Sequence, residues 1–117
     1  MTAQSHIVAD AASQRRMFDH FARRLAERFG LGRSDALTLW RGLAVLLERG
    51  DTARLRFVVR VSRCGRRIFV CRLADKRALF VLFDCAVGLP VTVLTEGMTV
   101  QAEGKGRVRL GVPHGFD

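Results

Sequence analysis

The stretch RGDTARLRFVVRVS, residues 49–62, decides how this chain folds, because the hydrophobic period changes inside it. After Gly50 and Asp51, the residues Ala53, Leu55, Phe57, Val59 and Val61 alternate with Arg54, Arg56, Val58, Arg60 and Ser62. A period of two marks a half-buried strand, here with an arginine-rich outer face. Upstream of the switch the period is helical, and downstream the chain stays extended. The expected fold class is therefore α+β, with two N-terminal helices packed on a four- to six-stranded antiparallel sheet.

Upstream, Phe18, Phe21, Ala22, Leu25 and Phe29 form the apolar stripe of a helix predicted over 13–29 and stopped by Gly30. The opposite face carries Arg16, His20, Arg23, Arg24, Glu27 and Arg28, and it is the first functional candidate. Ser34 is the expected N-cap of a second helix over 35–49, with Gly50 as terminator. Its leucines and Trp40 wrap most of the circumference, so it is expected to be largely buried. Residues 1–12 lack periodicity and read as a flexible N-terminal arm.

Downstream, Cys64, Gly65 and Arg66 can turn the chain into a strand over 67–73, and Asp75 and Lys76 into another over 78–84. That third strand is apolar on both faces and so belongs in the middle of the sheet. Gly88, Leu89 and Pro90 lead into a β-branched strand over 91–95, ended by Glu96 and Gly97. Residues 98–117 read as a C-terminal hairpin extension turning at Gly104, Lys105 and Gly106. With 117 residues and no repeat or internal boundary, the chain supports one core.

The formal charge of +9 attracts phosphate backbones, anionic surfaces or acidic proteins. Of the 20 basic residues all but Lys76 and Lys105 are arginine, whose planar fork suits bidentate phosphate contacts. G+C-rich coding accounts equally well for the arginine excess, but the charge acts whatever its origin. The odd cysteine count, Cys64, Cys71 and Cys85 without CxxC spacing, fits free thiols in a reducing compartment. No charged start followed by an apolar run marks a signal peptide, and the longest apolar run, 78–83, is too short to span a bilayer. A cytoplasmic location without membrane contact is the expectation.

Three chemistries are set aside on residue types alone. A helix-turn-helix reader needs exposed polar side chains early in its second helix, where this chain has leucines and Trp40. His6, His20 and His114 share no zinc-ligand spacing with the cysteines. The eleven carboxylates are scattered rather than clustered as a two-metal nuclease requires. Neither a metal nor a cofactor is called for. Metal-free cleavage of RNA uses the substrate's own 2′-hydroxyl, and the protein supplies a proton-transfer group and cations. His20, with Arg24 and Arg28 one and two helical steps beyond it, has those groups at that spacing. A solvated histidine on a polar helix face is the plain alternative.

The order from His20 to Leu31, a second helix ending at Arg49 and Gly50, then Phe80 to Asp84 and Pro90 to Leu94, resembles phage-encoded domains of the barnase, EndoU, colicin and RelE ribonuclease fold. The resemblance covers roughly residues 13–97, the ribonuclease-like α+β domain, and its motifs are short and degenerate. It implies RNA bound on a sheet and helix surface. His20 falls where such domains often keep a helical histidine, Arg24 and Arg28 match the basic positions after it, and Thr92 matches the strand threonine. Phe83 stands where the family commonly has tyrosine, and residues 98–117 have no counterpart.

The resulting expectation is an RNA-binding domain resembling a metal-independent ribonuclease, toxin-like or a phage early protein. His20, Arg24, Arg28 and Thr92 would be catalytic, and Arg16, Arg23, Arg54, Arg56 and Arg60 would form the track for the RNA backbone. An antitoxin partner belongs to that picture. The alternative is a noncatalytic phage-type interaction protein that binds and inhibits an acidic host protein. The helix arginines and the first-strand arginines together make one continuous cationic surface only if the helix lies beside that strand.

Overall fold

A computed structural model describes residues 9–62 and 65–116. In chain order the elements are α1 (Ala11–Phe29), α2 (Arg33–Arg49), β1 (Arg56–Ser62), β2 (Arg66–Arg72), β3 (Ala78–Asp84), β4 (Leu89–Leu94), β5 (Thr99–Ala102) and β6 (Gly106–Arg109). The α+β class and the order of helices before strands are as expected. His6, Cys64 and most of the expected N-terminal arm lie outside the described residues.

Both helices end on a glycine in the left-handed region, Gly30 at φ 70° and Gly50 at φ 65°. Without a Cβ each can turn back and donate its N–H to a carbonyl of the last helical turn, as Gly30 does to Ala26. The starts differ from expectation. α1 begins at Ala11 rather than Ser13, because the Asp10 carboxylate accepts from the Ser13 N–H and caps the helix earlier. That same bond, with the Ser13 side chain, holds the Asp10 carboxyl below its ordinary range. α2 starts at Arg33 with Gly32 at the cap position, so Ser34 is inside the first turn and caps nothing. Nor is α2 largely buried: only Ala36, Trp40 and Leu43 are fully covered, and Val45 is exposed.

The four strands β1 to β4 form an antiparallel meander in sequence order, and β5 and β6 form a separate hairpin. β3 lies between β2 and β4, the inner place its two apolar faces require. Along each strand alternate residues serve two cores. Cys71, Leu79, Val81, Phe83 and Val93 face the helices and pack with Phe21, Leu25, Trp40 and Leu43. Ile68, Val70 and Phe80 face the other way and pack with Ala102, Leu110 and Phe116. The sheet is thus covered on both sides, by helices on one and by the C-terminal hairpin on the other. The resemblance implies an open sheet for RNA, and that face is closed here by residues the resemblance does not include.

β1 departs furthest from its simple alternation. It starts at Arg56, after a turn over residues 52–54, and its pairing with β2 slips between Phe57 and Val59 and again between Arg60 and Ser62. Each slip is a bulge, which adds a residue on one strand and twists the edge. In consequence Val59 is buried, whereas Phe57, expected to be its inward-facing companion, is 50% exposed.

Candidate nucleic-acid interface

α1 positions the first set of basic side chains. Its apolar stripe, with Phe21 and Leu25 fully buried, fixes the rotation of the helix against β4 and turns the opposite face outward. On that face Arg23 is exposed and has no ion pair among the described residues. Arg16 is exposed and donates from Nη2 to the Ser13 hydroxyl over 3.0 Å. Arg24 donates from Nη1 to Glu27 Oε1 over 2.7 Å, a contact that keeps the Glu27 carboxyl below its usual range. Arg28 reaches the sheet, where its Nη1 donates to the Val93 carbonyl over 2.6 Å. That bond ties α1 to β4 and uses part of the Arg28 fork, leaving its remaining donors for a ligand.

His20 sits among them, half-buried. Its pKa is pushed below the ordinary histidine value, first by burial and then by the charges of Arg24, Arg23 and Arg28, with Glu27 opposing. At neutral pH the imidazole is therefore uncharged, with one ring nitrogen able to accept a proton. Three guanidiniums and one proton acceptor thus share a single helix face.

Thr92 does not join them. It pairs with Leu82 across β3 and β4, and Leu82 belongs to the hairpin-side core, so the threonine side chain lies on the far side of the sheet from α1. Its Oγ1 is buried without a hydrogen-bond partner. A buried unpaired hydroxyl costs stability, whereas a methyl of the same shape does not. Thr92→Val is therefore expected to stabilise the fold by about 1 kcal/mol, read as a shift in the urea midpoint. A loss of stability would show that the hydroxyl is engaged.

The first-strand arginines are held elsewhere. β1 and β4 are opposite edges of the meander, about 14 Å apart at the usual strand spacing. Arg54 faces Asp51, with Nε 3.9 Å from Oδ2. Arg56 lies over the Phe116 ring, 5.3 Å from its centroid, and Arg72 approaches the same ring at 5.8 Å. Arg60 pairs with Glu103 over 3.4 Å. The expected convergence of α1 and β1 arginines into one patch is thus not what the fold produces. The order of the meander and the docking of α1 on β4 separate them, and the C-terminal segment occupies two of the three.

Two features were missed in the sequence. Arg107 and Arg109 sit at exposed alternate positions of β6, a second basic surface on the hairpin side. The arginine–valine alternation of residues 107–109 was the available signal. The other is the docking of Phe116 between Arg56 and Arg72, for which an isolated aromatic near the end of a polar stretch gives no warning. An open groove of about 470 Å³ runs between α2 and the end of β2, lined by Leu39, Leu46, Ala53, Cys71 and Phe116 among others. Burial pushes the Cys71 thiol up to about 12, so it remains protonated and a poor nucleophile. Among the described residues no group of His, Cys, Asp and Glu side chains is placed to hold a metal ion, and no helix is long and apolar enough to cross a membrane. No protein-family model, curated protein or solved structure matches the chain.

Proposed function

We propose that this protein binds RNA through its phosphates on the outer face of α1, with Arg16, Arg23, Arg24 and Arg28 as the phosphate contacts. The observation that carries the reading is the outer face of α1, where exposed Arg16 and Arg23 and partly exposed Arg24 and Arg28 lie around His20. A row of guanidiniums at helical spacing suits a backbone of regularly repeated negative charge. Arg54, Arg56 and Arg60 are left out of this surface, since their edge of the sheet is distant and two of them are engaged by the C-terminal segment.

The same face has the groups for ribonuclease-like chemistry. Neutral His20 can accept the proton of a ribose 2′-hydroxyl as that oxygen attacks the adjacent phosphorus. The 5′-oxygen then leaves, taking a proton from the imidazolium so formed or from water, and a 2′,3′-cyclic phosphate remains. Arg23 and Arg24 would stabilise the charge on the phosphorane oxygens. With Thr92 on the other side of the sheet and Phe83 in place of a tyrosine, His20 is the side chain on this face that serves the proton transfers.

Two measurements test this. Purified protein is expected to retard a short RNA in a gel at low salt and to produce cyclic-phosphate ends in the presence of a chelator; His20→Ala should bind but not cut. The pH profile supplies a second check. Protonating His20 adds a positive charge, so binding should tighten as pH falls through and below its lowered pKa, while cutting, which needs the free base, should fade over the same window. Cutting that persists in His20→Ala removes the histidine from the chemistry. Absence of any salt-dependent RNA binding removes the reading altogether.

A further inference from the structure

Val45 and Phe57 are the large apolar side chains left exposed among the described residues, and Phe57 is the larger and more exposed, at 50%. Its ring is not loose. It meets Phe69 edge-to-face with centroids 5.7 Å apart, and Phe69 meets buried Phe83 the same way at 5.3 Å. The three rings form a ladder that starts in the core and ends in solvent, on the helix-facing side of the sheet at its β1 edge, beyond the reach of α2. The bulge after Phe57 places it there, so the exposure is built into the backbone rather than being a surface rotamer.

A cation lies beside the ladder. Arg67 is two residues from Phe69 on the same face of β2, which makes it the diagonal neighbour of Phe57, within reach of a long side chain. Arg60, the cross-strand partner of Arg67, is paired with Glu103, and Arg66, one residue along β2, belongs to the other face of the sheet, so Arg67 is the cation on the side of the ladder. Arg66 and Arg67 hold no ion pair among the described residues. With Val45 and Phe57 the large apolar side chains exposed among the described residues, the ring is not part of a broad apolar patch of the kind a protein partner buries. An aromatic face beside a guanidinium instead matches one nucleotide, whose base stacks while its phosphate pairs.

We propose that the Phe57–Phe69 ladder, with Arg67 beside it, is a stacking platform for an unpaired base of the bound RNA, which makes the protein a single-strand rather than a duplex binder. The inference rests on the RNA-binding reading above and adds a second contact at the opposite edge of the sheet. Stacking on an aromatic side chain tolerates any base, so the platform selects for unpaired strands rather than for sequence.

The test compares a single-stranded 12-nucleotide RNA, its duplex, and an abasic strand of the same length and charge. The parent protein is expected to bind the single strand about tenfold more tightly than the abasic strand. Phe57→Ala should remove that preference while leaving abasic binding and the salt slope unchanged, and Phe57→Trp should restore it. Because Phe57 is already half in solvent, the alanine variant is expected to keep its thermal transition, which is checked by circular dichroism. Equal binding of single and abasic strands by the parent, or an unaltered preference in Phe57→Ala, overturns the platform and leaves phosphate binding by α1 standing. Failure of all three ligands to bind overturns both.

Discussion

Replacing Arg16, Arg23 and Arg24 together with alanine is expected to weaken RNA binding about a hundredfold at low salt and to flatten the plot of log K against log salt by two to three units. The slope counts counterions released from the backbone, roughly one for each phosphate neutralised, so it reports lost contacts independently of affinity. All three side chains lie on the face of α1 turned away from the core, so their removal leaves Phe21, Leu25 and the glycine stop untouched. The Arg24 and Glu27 pair is partly exposed and contributes little to stability. A matching replacement of Arg54 and Arg60 is the control. Those side chains already face Asp51 and Glu103 at the other edge of the sheet, and their loss is expected to change affinity much less and the slope hardly at all. If the triple and the double replacement give the reverse ranking, the interface is at the β1 edge and the assignment to α1 is wrong.

Ending the chain after Gly97 is expected to abolish the native fold, although the part retained holds both helices and the whole four-stranded sheet. The hairpin and tail cover Val59, Ile68, Val70 and Phe80, all nearly or fully buried, and supply Ala102, Leu110 and Phe116 to the same cluster. Exposing each large side chain costs roughly 1.5–3 kcal/mol. Four of them amount to roughly 6–12 kcal/mol, comparable with the roughly 5–15 kcal/mol that holds a domain together. The bond from the Glu103 N–H to the Arg60 carbonyl, which covers part of the β1 edge, goes with them. The shortened chain should lose its near-ultraviolet circular dichroism, bind a hydrophobic dye and aggregate. A cooperative melt within a few degrees of the full-length chain would show that the hairpin is an accessory.

Much of the secondary structure was legible because its causes are local. Gly30 and Gly50 announce helix ends through the conformation that only a residue without a side chain takes easily, and the switch of period after Asp51 announces the sheet. β3 was recognisable as an inner strand because Leu79, Phe80 and Val81 leave it no polar face. The starts of the helices were less legible. Asp10 and Ser34 are both competent caps, and the choice between cap positions depends on where the chain must enter the helix. Of the interface, the stripe Arg16, His20, Arg23, Arg24 and Arg28 could be read directly, since helical geometry alone puts those residues on one side. That Arg28 is half committed to Val93 could not, because that bond depends on a strand more than sixty residues away.

By itself, then, the sequence determined two helices, an antiparallel sheet with its third strand inside and a strongly basic character, since turn residues, residue periodicity and side-chain charge act within a few positions of one another. Only the tertiary structure decided which arginines share a surface. A meander sends its first and last strands to opposite edges, and α1 docks on the last. The hairpin closes the sheet face that would otherwise be open, and two bulges turn Phe57 out of a row that alternation assigns to the core. Each outcome follows from how separate apolar faces fit together, a property of shapes distant in the chain that no local pattern records.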